Sequence, residues 1–246
     1  MPEDVQRSAA RQAVTARTFA ELFDSLVDDF DLIEVLTLLA ARSVELLDAG
    51  AAGILLADRD RHLRVMAASS EQSQLLDLFQ VQNDEGPSLD CYSTGQLVVN
   101  SNLTAGSPWP SFAAQSVRYG LPSVCAVPLR LKDVVLGCLN LFMTQPTELS
   151  ETDIALARAL AHVASIALLQ HQISHDAPSH QADLQHALDN RIVVEQAKGM
   201  LAERGQIDMD AAFSRLRIYA HTNRRYLTDV AADLVAGTLD VAALVT

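Results

Sequence analysis

Lys198 is one of two lysines in the 246-residue chain, set between Ala197 and Gly199 in the stretch RIVVEQAKGMLAERG that runs from Arg191 to Gly205. A seven-residue step turns an α-helix by nearly two full turns, so Arg191 and Lys198 share a face, read here as an exposed one. Gly199 has no side chain, which lets another backbone or a nucleic-acid loop come close. Glycine inside a helix costs about 0.5–1 kcal/mol relative to alanine, so something must offset it. Two arrangements suit the pattern. In one, Ala197 and Gly199 pack tightly on another helix and Lys198 is solvated; in the other, Lys198 is presented to phosphate. Downstream, Arg215, Arg217, Arg224 and Arg225 supply further positive charge. Arg224 and Arg225 fall between two helical runs, where a bend aims both at phosphate, and arginine also stacks on splayed bases. Thr222 and Asn223 suit hydrogen bonds to base edges or the capping of the helix that follows. Glu195, Glu203 and Asp229 interleave these cations, so ion pairs occupy some of them.

No constellation of catalytic residues stands out, and none is assigned. Cys91, Cys125 and Cys138 read as free thiols. Cys91, in a turn-rich crossover, is the one positioned to react, and the strands carrying Cys125 and Cys138 bring those two near each other. His162, His171, His175, His180 and His186 gather near a polar joint. His171 and His175 have a metal-compatible helical spacing, but there is no HExxH and no flanking cysteine, so they read as solvated helix histidines and no metal site is assigned. No ATP-binding segment follows His162 to make it a phosphoacceptor. No cofactor is expected.

The formal charge is −13 and unevenly spread. Residues 1–186 hold 11 Lys+Arg against 23 Asp+Glu, whereas residues 187–246 hold 7 against 8. An acidic body repels phosphate at long range, which excludes nonspecific coating of nucleic acid and confines any such role to a local face of the C-terminal part. The N-terminus lacks a signal-peptide pattern, and no apolar run is read as reaching the length of a membrane span, so a cytoplasmic protein without membrane contact is expected.

These residues need elements to hold them. Thr18 to Asp48 has helical periodicity that DDFD (28–31) breaks in two. AAGILLAD and HLRVMAASS flank RDRH as a hairpin. A short helix follows in EQSQLLDLFQVQ, then a crossover with Gly86-Pro87 and a helical turn ending at Gly95, a strand in LVVN, and a helix closing at Gly120. SVCAVPLRL and VVLGCLNLFM form the clearest hairpin, around Lys132-Asp133, and both read as buried on two faces. Ser150-x-x-Asp153 starts a long helix in the manner of a capping box. The order predicts an α+β domain with a mostly antiparallel sheet. SHDAPSHQAD (174–183) reads as a joint. Beyond it lie three helical runs, the first with Leu184, Leu188, Ile192, Met200 and Leu201 on its apolar side and Gly205 as its C-cap, the second starting after Asp208 or Asp210, the third closing at Gly237.

AKGML (197–201), DAAFSRLRIYA (210–220) and TNRRYLTDVAADLV (222–235) together resemble the ANTAR domain, a three-helix RNA-binding module. EGPSLDCYSTGQLVVNSNL, WPSF, SVCAVPLRLKDVVLGCLNLF and LSETDIALARALAHVASIAL resemble a GAF domain of the kind found upstream of ANTAR in actinobacterial regulators. The resemblance implies a GAF-like antiparallel sheet flanked by helices, followed by an all-α three-helix bundle. The expected divisions are an N-terminal tail over 1–16, a sensor over 17–173, a helical joint over 174–180 and an RNA-binding domain over 181–242. It also implies binding of paired hairpin loops in leader RNA, control of transcription termination, and a homodimer. RNA contact then falls to Arg191, Lys198, Gly199, Arg215, Arg217, Thr222, Asn223, Arg224 and Arg225. A sensor pocket for an unknown small-molecule ligand would be lined by Asp84, Glu85, Ser88, Cys91, Tyr92, Val124, Ala126, Leu139 and Leu141. Ser88 stands where relatives often carry cysteine, which weakens thiol chemistry at that position. Two other classes compete: a redox or small-molecule-transforming enzyme on the GAF scaffold, and a protein–protein adaptor.

Overall fold

The computed structural model describes residues 2–26, 30–174 and 180–245. Two helices, α1 (Pro2–Asp24) and α2 (Leu32–Leu47), precede β1 (Ala51–Ala57) and β2 (Leu63–Ala68). Next come α3 (Glu71–Asn83), α4 (Pro87–Thr94), β3 (Val98–Asn100), α5 (Pro110–Arg118), β4 (Ser123–Leu131), β5 (Val134–Met143) and α6 (Glu151–Ser174). The strands form an antiparallel five-stranded sheet in the order β2-β1-β5-β4-β3. This is the α+β architecture expected from the sequence. The segment read as a tail, however, is helical from Pro2.

Local chemistry explains the boundaries. Asp31 Oδ1 accepts from the amides of Ile33 at 3.0 Å and Glu34 at 3.3 Å, which starts α2 after the acidic break. Gly95 (φ 64) closes α4 in the left-handed conformation. At the start of α6, the Ser150 amide donates to Asp153 Oδ2 at 3.2 Å and the Asp153 amide donates to Ser150 Oγ at 3.1 Å, a reciprocal cap.

Side chains alternate across the strands, so the sheet has two distinct faces. Ile54, Cys125, Val127, Leu139 and Leu141 pack with Leu36 and Leu39 of α2 and Leu160 and Ala164 of α6. Leu55, Val124, Ala126, Cys138 and Phe142 lie on the other face, beneath α3, α4 and α5. β1 and β5 run so close that a Cβ at Gly137 would collide with the Leu55 carbonyl. Within α6 the 21-residue stretch Glu151–His171 is long and apolar enough to cross a membrane, which corrects the expectation that no run reaches that length. Its Ala157, Leu160, Ala161, Ala164, Ala167 and Leu168 are buried in the sensor core, where the apolar content serves packing.

The C-terminal helices are α7 (His180–Gly205), α8 (Met209–Thr222) and α9 (Leu227–Ala236), with a short α10 (Ala242–Val245) against α8. Leu188, Val194, Ala197, Leu201, Ala212, Leu216, Ala220, Val230 and Leu234 form their core. Asp208 Oδ1 accepts from the Ala211 amide at 2.7 Å and starts α8. Two readings of α7 need correction. Gln206 (φ 50), not Gly205, takes the left-handed position that ends it. Ile192, expected in the core, is 57% exposed. The inward stripe runs at three- and four-residue steps through Ala187, Arg191, Val194, Lys198 and Leu201, so the helix phase places two cations on the packed side. Residues 175–179 of the expected joint, His175 among them, lie outside the described residues. The bundle rests on the sensor, with α7 against β2 and α2, and α9 against α2.

Candidate sensor pocket and RNA interface

Beneath α3 and α4, the sheet carries a buried polar network. Asn140, alone among apolar neighbours in LGCLNLFM of β5, donates from Nδ2 to Asp77 Oδ1 at 2.7 Å and to Ser88 Oγ at 2.6 Å. Gln80 Nε2 donates to the same Asp77 oxygen at 3.2 Å, and Gln80 Oε1 accepts the Ser88 amide at 2.9 Å. Asp77 is fully buried, and desolvation pushes its pKa up to about 8, against the opposing pull of Asn140, Arg191 and Gln80. It therefore holds its proton at neutral pH. Among the described residues, Asp77 Oδ2 and Asn140 Oδ1 have no hydrogen-bond partner. A Cβ at Gly53 would collide with the Asp77 carboxyl, so the network dictates that glycine.

The residues expected to line the pocket divide. Ser88, Cys91, Val124 and Ala126 are buried on this side. Tyr92 is half-buried at the rim of a cleft of about 490 Å³ shared with Arg130. Asp84 is exposed and closes α3 at φ 51. Glu85 Oε1 accepts from the amides of Ser111 at 2.6 Å and Phe112 at 3.0 Å, and these bonds, the Phe112 one foremost, hold its carboxyl below the usual range. Leu139 and Leu141 are corrections. They point to the opposite face, and Cys138, Asn140 and Phe142 take the places assigned to them, because a slip of one residue along a strand exchanges the faces. Asp77, Gln80 and Asn140 were missed. The available signal was a lone amide in an apolar strand and an acid–amide pair three residues apart on a helix.

All three cysteines are free thiols, as the sequence reading has them, but their placement departs from it. Cys91 is buried, and burial pushes its thiol up to about 12, which disfavours the thiolate that reactivity in the crossover would need. Cys125 pairs with Leu141 and Cys138 with Pro128, and the two thiols sit on opposite faces of the sheet rather than approaching each other. His171, read as solvated, is buried with its ring 6.4 Å from that of Phe30. Asp58, Asp60 and His62 gather within 4.8 Å in the β1–β2 turn. The Asp58 carboxylate is already engaged there by the Asp60 and His62 amides and by Arg64 Nε.

On the C-terminal domain, Arg191 and Lys198 do share a face, but it is not the exposed one. Arg191 is 8% exposed. Its guanidinium donates to the Met66 carbonyl of β2 and lies 3.4 Å from Glu195, and burial lowers its pKa. Lys198 Nζ donates to Glu195 Oε1 at 3.1 Å and stands 5.6 Å from the Phe213 ring centroid. Arg215 donates to the Leu244 carbonyl at 3.3 Å, and Arg225 to Asp233 at 2.7 Å. Among the described residues, no hydrogen bond or ion pair engages the guanidinium of Arg217 or of the exposed Arg224. Asn223 donates to the Tyr219 carbonyl at 2.8 Å at the end of α8, and Thr222 is exposed; neither caps α9, whose N-cap residue is Tyr226. Among the described residues, nothing beyond the helix's own backbone lies within 4 Å of a Cβ built on Gly199, whereas Ala197 is fully buried. Packing thus accounts for Ala197 and not for Gly199.

Two family models match different parts of the chain. A GAF domain model matches residues 31–169 and an ANTAR domain model matches residues 182–235. No curated protein matches the chain. Among solved structures, the chain is similar to the GAF domain of a phosphoenolpyruvate-protein phosphotransferase from Coxiella burnetii, with 15% identity and a TM-score of 0.53 over 68% of this chain and 96% of that one. It is also similar to the free methionine-R-sulfoxide reductase from Neisseria meningitidis in complex with its substrate, with 17% identity and a TM-score of 0.53 over 68% of this chain and 93% of that one. The GAF domain of a phosphoenolpyruvate-protein phosphotransferase from Acinetobacter matches at 17% identity and a TM-score of 0.50, over 69% of this chain and 97% of that one. At these identities the likeness shows the fold of the sensor. The chain belongs to the GAF–ANTAR proteins, regulators in which a sensor domain is followed by an RNA-binding domain.

Proposed function

We propose that this protein is a signal-responsive antiterminator that binds paired hairpin loops in leader RNA as a homodimer in the cytoplasm. The observation that carries the reading is Gly199, a helix-interior glycine with open space before it among the described residues, on an ANTAR bundle in which the guanidiniums of Arg217 and Arg224 have no partner among those residues. The cost of glycine in a helix is offset when an RNA loop uses the gap. In this reading Lys198, Arg215, Thr222, Asn223 and Arg225 also contact the RNA, and Arg191 joins them only when the bundle leaves β2. Dimerisation runs along α1 and α6, where Val14, Phe23, Ile166 and Ile173 are exposed apolar side chains, Ile173 to 70%. The signal is a small molecule read on the α3–α5 side of the sheet, where Asp77 and Asn140 each keep a buried oxygen without a partner among the described residues.

Two bundles held in one dimer bind two loops with an avidity set by their effective concentration. Purified full-length protein is therefore expected to bind an RNA with two hairpin loops at least about tenfold more tightly than the same RNA with one loop deleted. Equal affinity for the two RNAs would overturn the paired-loop reading.

A further inference from the structure

The α8–α9 turn carries Arg224 and Arg225, and α9 begins there without a capping side chain of its own, since Tyr226 at the N-cap makes no such bond. The sensor supplies the missing acceptor. Asp31 uses Oδ1 to start α2, while its Oδ2 accepts the Thr228 amide in the first turn of α9 at 2.9 Å. One buried carboxylate therefore serves the N-termini of two helices in two domains, each of which favours negative charge. One turn along α2, Glu34 Oε1 lies 2.6 Å from Nε2 of His221. A third tie joins the domains at the other end of the contact, where Arg191 donates to the Met66 carbonyl. Between the acidic end of α2 and the turn lies a cleft of about 700 Å³, lined by Asp24 and Glu34 on the sensor side and by His221, Arg224, Arg225 and Tyr226 on the bundle side.

We infer that the acidic start of α2 is an intramolecular stand-in for RNA phosphate, with Asp31 and Glu34 docked on the α8–α9 turn so that the sensor masks part of the RNA-binding surface. The inference rests on the reading of the C-terminal domain as the part that binds RNA. The chemistry is that of a backbone phosphate: an anion accepting a helix N-terminal amide beside two arginines. Arg191 is withdrawn from RNA in the same arrangement, so docking and binding compete for both ends of the bundle. A competent state populated only in part weakens the apparent affinity by that fraction, and whatever separates α2 from α9 restores it. The overall charge acts in the same direction, because residues 1–186 carry 23 Asp+Glu against 11 Lys+Arg and repel RNA held near the sensor.

The test uses the full chain and a pool of two-hairpin RNAs with randomised loops, with amide exchange at Thr228 as an independent measure of docking. Asp31→Asn combined with Glu34→Gln keeps an acceptor for the α2 cap, because asparagine is a good N-cap residue, while removing both charges and the acceptor for Thr228. The variant is expected to exchange the Thr228 amide faster and to bind the pool at least about tenfold more tightly than the wild type. His221→Ala releases Glu34 from the other side without touching α2, and a rise of about threefold is expected. Faster exchange at Thr228 with unchanged RNA affinity in both variants would overturn the masking and leave the RNA reading standing. Absence of pool binding by wild type and both variants would overturn the RNA reading and the masking with it.

Discussion

The sensor and the C-terminal bundle differ in how they account for their unusual residues. In the sensor, the close-packed glycines and the lone amide of β5 each meet something inside the fold. Gly137 faces the Leu55 carbonyl, Gly53 faces the Asp77 carboxyl, and Asn140 is bound to Asp77 and Ser88. In the bundle, Gly199 has nothing in front of it and the Arg217 guanidinium has no partner among the described residues. A residue that costs stability and contacts nothing in its own chain points to something outside it. The sensor glycines are thus explained by packing, and the open features of the bundle by binding.

The contrast can be broken most forcefully at Gly137. Alanine there drives a methyl group into the β1 backbone, and a loss of about 3 kcal/mol or more in urea unfolding is expected, because overpacked cores relax only partly. An unchanged unfolding midpoint would remove the claim that the sensor glycines are dictated by contact.

The next largest effect is a pH dependence. Asp77 is a carboxylic acid whose folded pKa, about 8, lies above its ordinary value of 3.8. Between those values the folded chain keeps a proton that the unfolded chain releases. Its contribution to stability is therefore complete below about pH 4, falls as pH rises toward 8 and is level above that. The change across this window is on the order of a few kcal/mol. Urea titrations of the wild type and of Asp77→Asn, compared from pH 5 to pH 8, should show this slope in the wild type and its disappearance in the variant. A slope shared by both proteins would mean that Asp77 is not its source.

On the bundle side, Arg217→Ala and Arg224→Ala should each weaken RNA binding by roughly five- to tenfold and reduce the salt slope by about one, with little change in melting temperature. A melting temperature that drops along with affinity would place these arginines in the fold. The smallest effect is the sharpest. Gly199→Ala should stabilise the chain by about 0.5–1 kcal/mol, since among the described residues the methyl group meets nothing beyond its own helix backbone, and at the same time reduce RNA affinity. Stabilisation with unchanged affinity would show that RNA does not use the gap.

Much of the fold could be read from local chemistry. The Ser150–Asp153 cap, the turn at Lys132-Asp133, the division of the first helical run in two and the C-terminal glycine of the third bundle helix are short-range signals, and each stands where the sequence places it. The departures in β5 and α7 come from phase. Leu139 and Leu141 were placed on the pocket face because β5 is apolar on both sides, and a strand without alternation does not announce its register. Ile192 was placed in the core because Arg191 occupies a true core position, where the long apolar stem and a carbonyl acceptor on β2 make burial tolerable. That acceptor is 125 residues away in sequence. The Asp31–Thr228 bond, spanning 197 residues, was illegible for the same reason. Reading a buried cation or a shared cap requires knowing which elements meet.

The central claim is that this chain binds paired hairpin loops in leader transcripts, and crosslinking of the full-length protein in cells followed by sequencing of the bound RNA tests it most directly. The account predicts recovery of paired hairpins lying just upstream of transcription terminators, with the yield reduced by Lys198→Ala and Arg217→Ala. Recovery of no RNA, or of RNA without paired hairpins, would contradict it.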